Sequence, residues 1–227
     1  MRSLLLVPVL LLLLVAACGG KETAAEPPAG EVLQRAVKAF AGLRSFHFKL
    51  THENGATPIP LNLQLTSAEG DAALPDRLAA DVRAKAGPLT ASVKLVAIGD
   101  RTWITNPFSR DWQLLSGVSA GDIADPSSLV AAVVDRLQGV SLGGRSEVGS
   151  VETYRLTGTL PSEALQSSLG VARPGHVLKV DLWIGVEDGL PRRVRLTGPL
   201  VSGEAEDIVR QVDLSKFNEA VDIRPPS

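Results

Sequence analysis

Leu78-Ala79-Ala80-Asp81-Val82-Arg83-Ala84-Lys85-Ala86-Gly87-Pro88-Leu89-Thr90-Ala91-Ser92-Val93-Lys94-Leu95-Val96-Ala97 reads as two strands and a turn. Leu78, Ala80, Val82 and Ala84 alternate with Ala79, Asp81, Arg83 and Lys85. Leu89, Ala91, Val93, Leu95 and Ala97 alternate with Thr90, Ser92 and Lys94, and Gly87-Pro88 turns the chain between them. A period of two with one polar face marks a half-buried antiparallel strand. Several apolar positions are small: Ala80, Ala84, Ala91 and Ala97. A filled sheet–helix core wants bulk at such places. Small side chains there predict either space beneath a curved sheet or the close approach of a helix.

The same pattern extends in both directions. Phe46, Phe48 and Leu50 interleave with His47, Lys49 and Thr51; Leu61, Leu63 and Leu65 interleave with Asn62, Gln64 and Thr66, after a turn through Asn54-Gly55 and Pro58. Downstream, Thr102–Thr105, Trp112–Leu115, the neighbourhood of Tyr154 and Leu156, Val177–Val186, Arg192–Thr197 and Ile208–Leu214 read as strands. Helices are expected at Glu31–Leu43, Pro126–Gln138 and Pro161–Leu169, with Gly42, Gly139 and Gly170 at their ends. About nine or ten strands with short turns and two or three helices make an antiparallel sheet with helices on one face, α+β in class.

The chain opens with a targeting signal. Arg2 is followed by an apolar run from Leu4 to Val15, broken only by Pro8, and then by Val15-Ala16-Ala17-Cys18. The run is too short to span a bilayer comfortably, and small residues precede the cysteine, so residues 1–17 read as a cleaved signal peptide with a bacterial lipobox. Cys18 is the expected acylation site, and two or more chains hold a protein stably on a membrane. Residues 18–30 are the lipidated cysteine and a flexible tether, and residues 31–227 one domain. The expected location is the extracytoplasmic face of the cell membrane.

Composition narrows the function classes. Cys18 is the only cysteine, so disulfides within the chain and Cys-based metal sites are excluded. Net charge is −2 with no basic block, which argues against nucleic acid. Gly117-Val118-Ser119-Ala120-Gly121 matches a nucleophile elbow in spelling, but that device needs a parallel strand before it and a helix starting at the serine. Asp122 and Asp125 read as caps of the following helix. His47 and His52, five apart, point to opposite faces of a strand, and with His176 they make no ligand cluster. No enzyme activity, metal or cofactor is expected. Trp103, Trp112 and Trp183 suit either a lipid mouth or ordinary interfacial packing. Arg192, Arg193 and Arg195 suit either an anionic headgroup or a solvated strand face.

Taken together, several segments resemble the LppX/LprAFG-type lipoproteins of actinobacteria and related envelopes. They are the lipobox, the helix ending at Leu43-Arg44-Ser45-Phe46, Leu74-Pro75-Asp76-Arg77-Leu78, and Ile98-Gly99-Asp100-Arg101-Thr102-Trp103-Ile104-Thr105-Asn106-Pro107-Phe108 closed by Trp112. Leu182-Trp183-Ile184 and Leu190-Pro191-Arg192-Arg193-Val194 complete the set. The resemblance implies a strongly curved antiparallel half-barrel with helices packed on its concave face, similar to the LolA and LolB carriers. It also implies a hydrophobic cavity for an acylated lipid or glycolipid, a role in moving it through the envelope, and a membrane transporter as partner. Leu61, Leu63, Leu65, Leu78, Ala80, Val82, Ala91, Val93, Leu95, Trp103, Leu182 and Ile184 are the expected cavity wall. The rival expectation is an accessory lipoprotein with a filled interior, acting through a protein partner.

Overall fold

In the computed structural model of the chain, residues 26–59, 63–116, 133, 136–166 and 172–227 are described. The signal segment, Cys18, Leu61, the Ser119 pattern, Asp122 and Asp125 lie outside them.

Helix α1 spans Ala29–Ala41, beginning two residues before the expected Glu31. Glu31 in its first turn and Lys38 in its last complement the helix dipole. Val32, Leu33, Ala36 and Phe40 form its buried stripe.

Twelve strands follow: β1 (Ser45–Glu53), β2 (Thr57–Ile59), β3 (Leu63–Ala73), β4 (Arg77–Ala86), β5 (Leu89–Ile98), β6 (Arg101–Thr105), β7 (Trp112–Leu115), β8 (Gln138–Val148), β9 (Val151–Pro161), β10 (Val177–Gly185), β11 (Pro191–Thr197) and β12 (Val209–Ser215). Three of them, β2, β3 and β8, depart from the sequence expectation, β3 by running on past Thr66 to Ala73. β2 occupies what reads as a turn. β8 takes in Gln138 and Gly139, expected to end a helix, and runs through Gly143-Gly144; two register shifts against β9 absorb these glycines. Of the expected helix Pro126–Gln138, the described part shows Val133 and Arg136 helical, with the Leu137 amide bonded to the Val133 carbonyl. Of the expected helix Pro161–Leu169, the described part is a short 3-10 turn, Ser162–Leu165.

All pairings are antiparallel, in the order β7-β6-β5-β4-β3-β1-β12-β11-β10-β9-β8, with β2 added beside β3. The sheet is curved and unclosed. Register makes one face apolar and the other charged. The turns β3–β4, β5–β6, β8–β9 and β10–β11 share one end of the strands, here the near end, and β1–β2, β4–β5, β6–β7, β9–β10 and β11–β12 share the far end.

Helix α1 packs on the apolar face at the near end. Val32, Leu33 and Ala36 meet Tyr154, Leu156, Leu182 and Ile184. Phe40 and Leu43 join Phe46, Ala72, Leu78, Ala97 and Leu214, with the Phe40 and Phe46 rings 5.8 Å apart. Arg35 ties the helix down by donating to the Val186 and Glu187 carbonyls at 2.7 and 3.1 Å. At the far end of β9–β11 a separate core holds Leu160, Leu165, Leu178, Val180, Leu196 and Leu200.

Candidate functional site

The register assembles the apolar face in rows. Val93, Val82, Ala68, Leu50, Val212, Val194, Leu182, Leu156 and Leu142 lie opposite one another across nine strands. The next row nearer α1 runs Ile104, Leu95, Ala80, Gly70, Phe48 and Leu214. Toward the far end, Ala91, Ala84, Leu65 and Thr57 form another. On β3, β4 and β5 the rows are made largely of small residues: Ala68, Gly70, Ala72, Ala80, Ala84, Ala91 and Ala97.

Most of the expected wall residues share this face, but in two environments. Leu78, Leu182 and Ile184 sit in the cores beneath α1; Leu182 and Ile184 are 6% and 1% exposed. Leu63, Leu65, Val82, Ala91, Val93 and Leu95 are half-buried, with Ala80 buried among them. Trp103 does not belong with them. It pairs with Val96, whose neighbours Leu95 and Ala97 are the residues on the apolar face, so its indole lies on the opposite side. Trp112 and Trp183 lie on that side too. The period-two rule fixes this once register is known, whereas sequence alone leaves each strand's sign open.

Sequence reading missed the β3 contribution, Ala68, Gly70 and Ala72. A bulge at Thr66 is the reason. Leu65 opposes Ala84 and Ser67 opposes Arg83, so Thr66 is the extra residue, and its hydroxyl donates to the Arg83 carbonyl at 3.1 Å. The apolar positions change parity there, from Leu63 and Leu65 to Ala68, Gly70 and Ala72, which breaks the alternation in the sequence.

The opposite face is a charge ladder. Lys94, Asp81, Glu69, Lys49, Asp213, Arg193, Trp183 and Arg155 form one row across eight strands. Lys94 pairs with Asp81 at 2.9 Å, Lys49 with Glu69 at 3.1 Å, and Arg193 with Asp213. The Lys49 ammonium beside Glu69 holds its carboxyl below the usual range. Arg155 and Arg193 flank the Trp183 ring, 5.5 and 5.9 Å from its centre. Arg193 and Arg195 thus serve a solvated, paired face, Arg195 with Glu53. Arg192 instead bonds Asp188 and stacks 4.6 Å from the Phe217 ring.

One polar cluster penetrates the apolar face, at the far end. Arg210 and Glu204, with side chains 5% and 6% exposed, form an ion pair. Arg210 also donates to the Thr57 hydroxyl at 2.7 Å and to the Gly198 carbonyl at 3.1 Å. The Thr57 hydroxyl is 2.8 Å from His52 Nε2, and His52 Nδ1 is 3.0 Å from the Thr66 carbonyl. His47 bonds Asp71 at 2.7 Å on the other face, as the odd spacing of the two histidines requires. Among the described residues no cluster of His, Cys, Asp or Glu is placed to hold a metal, and no helix is long and apolar enough to cross a membrane.

Against known proteins, no curated protein matches the chain. Among the solved structures similar to it are two mycobacterial proteins. LprF from Mycobacterium bovis aligns with a TM-score of 0.67 at 19% identity, covering 89% of this chain and all (100%) of that one. The lipoprotein LppX from Mycobacterium tuberculosis aligns with a TM-score of 0.61 at 18% identity, covering 86% and 98%. At such identities the likeness establishes the fold. The sequence profile of the LppX_LprAFG lipoproteins matches residues 28–223, and the chain belongs to that family.

Proposed function

We propose that the protein is a lipoprotein anchored through Cys18, with residues 31–227 forming one body that shelters the acyl chains of a lipid or glycolipid and carries or presents it in the cell envelope. In this reading the apolar face is the concave face and α1 closes its near end. The acyl chains lie over β3–β5, against Leu63, Leu65, Ala80, Val82, Ala91, Val93 and Leu95, with Leu61 as a further wall residue. The observation that carries the reading is the run of small residues on three adjacent strands, beside leucines and valines that stay half-buried. Exposing a methylene to water costs about 0.8 kcal/mol, so a 16-carbon chain costs on the order of 10 kcal/mol, and a dry surface removes most of that barrier to transfer.

Ala91→Trp tests it. In a packed core the indole destabilises the fold by typically 1–3 kcal/mol or more. In acyl-chain space it leaves thermal unfolding nearly unchanged and abolishes uptake of a fluorescent acyl lipid. A large loss of stability, or unchanged uptake, removes the lipid from this face. Native mass spectrometry of protein taken from its own membrane then names the lipid.

A further inference from the structure

At the far end the backbone does not join the sheet across its whole width. β1 pairs with β3 as far as Thr51, opposite Ser67. Its last residues stay with β12, where His52 lies opposite Arg210 and Glu53 opposite Val209. β2 then takes the place beside β3, with Thr57 opposite Leu65 and Ile59 opposite Leu63. Among the described residues β2 pairs with β3 alone. A seam therefore separates β2 from the far end of β12, next to two leucines of the proposed wall. A cleft of about 380 Å³ lies along it, with the β1–β2 turn, Pro58 and Gln64 on one side and residues 201–205 on the other.

Side chains close this seam, and they meet at one hydroxyl. The Thr57 oxygen accepts from Arg210 Nε at 2.7 Å and lies 2.8 Å from His52 Nε2. A hydroxyl has one proton to give, and His52 Nε2 accepts it only while the imidazole is neutral. We propose that the seam is a proton-operated latch: neutral His52 holds β2 to β12 over the sheltered lipid, and protonation of His52 parts them and weakens the hold on the acyl chains. This rests on the lipid-sheltering reading above and adds its regulation. Protonation acts twice. It removes the acceptor of the Thr57 proton. It also sets a cation directly opposite Arg210 on one face of an antiparallel pair, where like charges repel. Arg210 of β12 and Glu204 of the β11–β12 connection are the charged groups that act on His52; β2 and β3 meet it with the Thr57 hydroxyl and the Thr66 carbonyl. Glu204 is already committed to Arg210 and to the Leu200 amide. Burial favours the neutral imidazole, so the latch is closed near neutral pH. β2 is the part that yields, being three residues held by one neighbouring strand.

The test takes the full-length protein from about pH 7 to about pH 5 and reads its affinity for a fluorescent acyl lipid together with amide hydrogen exchange, corrected for the intrinsic effect of pH. In wild type the affinity falls with pH, by up to about tenfold per pH unit, the limit for one linked proton. Exchange rises in residues 53–59 and 201–208, while α1 and β9 keep their protection. His52→Gln, whose amide does not titrate, shows neither change. An equal fall in affinity in His52→Gln overturns the proposal. So does a local rise in exchange without loss of affinity, a rise spread over the whole chain, or a wild type that changes in neither respect. The wild-type exchange pattern decides the matter by itself if the variant does not fold. Failure of wild type to bind acyl lipid at any pH overturns the sheltering reading, and a local rise in exchange on acidification separates that failure from failure of the latch.

Discussion

The surroundings of His52 favour its neutral form. A carbonyl only accepts, so Nδ1 carries the proton toward Thr66, and Nε2 is left to accept from the Thr57 hydroxyl, whose oxygen accepts from Arg210. Protonating Nε2 takes away the acceptor of the Thr57 hydroxyl proton and places a second cation beside Arg210. Burial pushes the His52 pKa below its ordinary value, the Thr66 carbonyl opposes this, and Arg210 reinforces it while Glu204 works against it. With the folded value depressed, the unfolded chain binds the proton first. The contribution to stability is present above about pH 6.5 and is lost as pH falls through the window below it, down to the folded value. Chemical denaturation followed from pH 7 to pH 5 should therefore show stability falling, and His52→Gln should flatten that slope. An equal slope in the variant would place the acid sensitivity elsewhere.

Among the elements, β3 shows most clearly how the sheet is bent. A Cβ built on Gly70 would lie 2.0 Å from the Ala79 carbonyl oxygen and 2.6 Å from the Ala80 Cα, both backbone atoms of β4. Only glycine lets the two strands approach this closely, and glycine kinks of this kind introduce curvature into a sheet. Gly70→Val should cost 1–3 kcal/mol or more, as overpacking does, and should reduce acyl-lipid uptake beyond the loss of folded protein. Urea unfolding paired with uptake per folded molecule separates the two effects, and a stability within error of wild type would contradict the close approach. The neighbouring strands were legible because nothing interrupts their alternation: Leu78 to Ala84 and Leu89 to Ala97 predicted β4 and β5. β3 beyond Thr66 was hidden by the bulge, β8 by its paired glycines, and β2 by being three residues long. Each is a place where the partner strand, invisible in sequence, decides the local conformation.

The whole molecule is polarised along its strands, and that polarity joins its fold to its proposed work. At the near end α1 packs on the apolar face; toward the far end Leu63, Leu65 and Ala91 of β3 and β5 stay half-buried. The sequence showed both kinds of face through its period of two, yet it could not orient them. Trp103 was expected on the wall because indoles favour half-wet sites, and only the Val96 pairing puts it on the charged side. The proposed anchor at Cys18 would give this polarity a direction, since it would hold the near end toward the lipid. Cys18→Ala should then leave the exported protein soluble or uncleaved, as fractionation of membranes and medium would show. Because α1 starts at Ala29, the same substitution should leave thermal unfolding and acyl-lipid uptake of the released body unchanged. Membrane-bound mature protein carrying an unmodified Cys18 thiol would overturn the anchor and, with it, the direction assigned to the two ends.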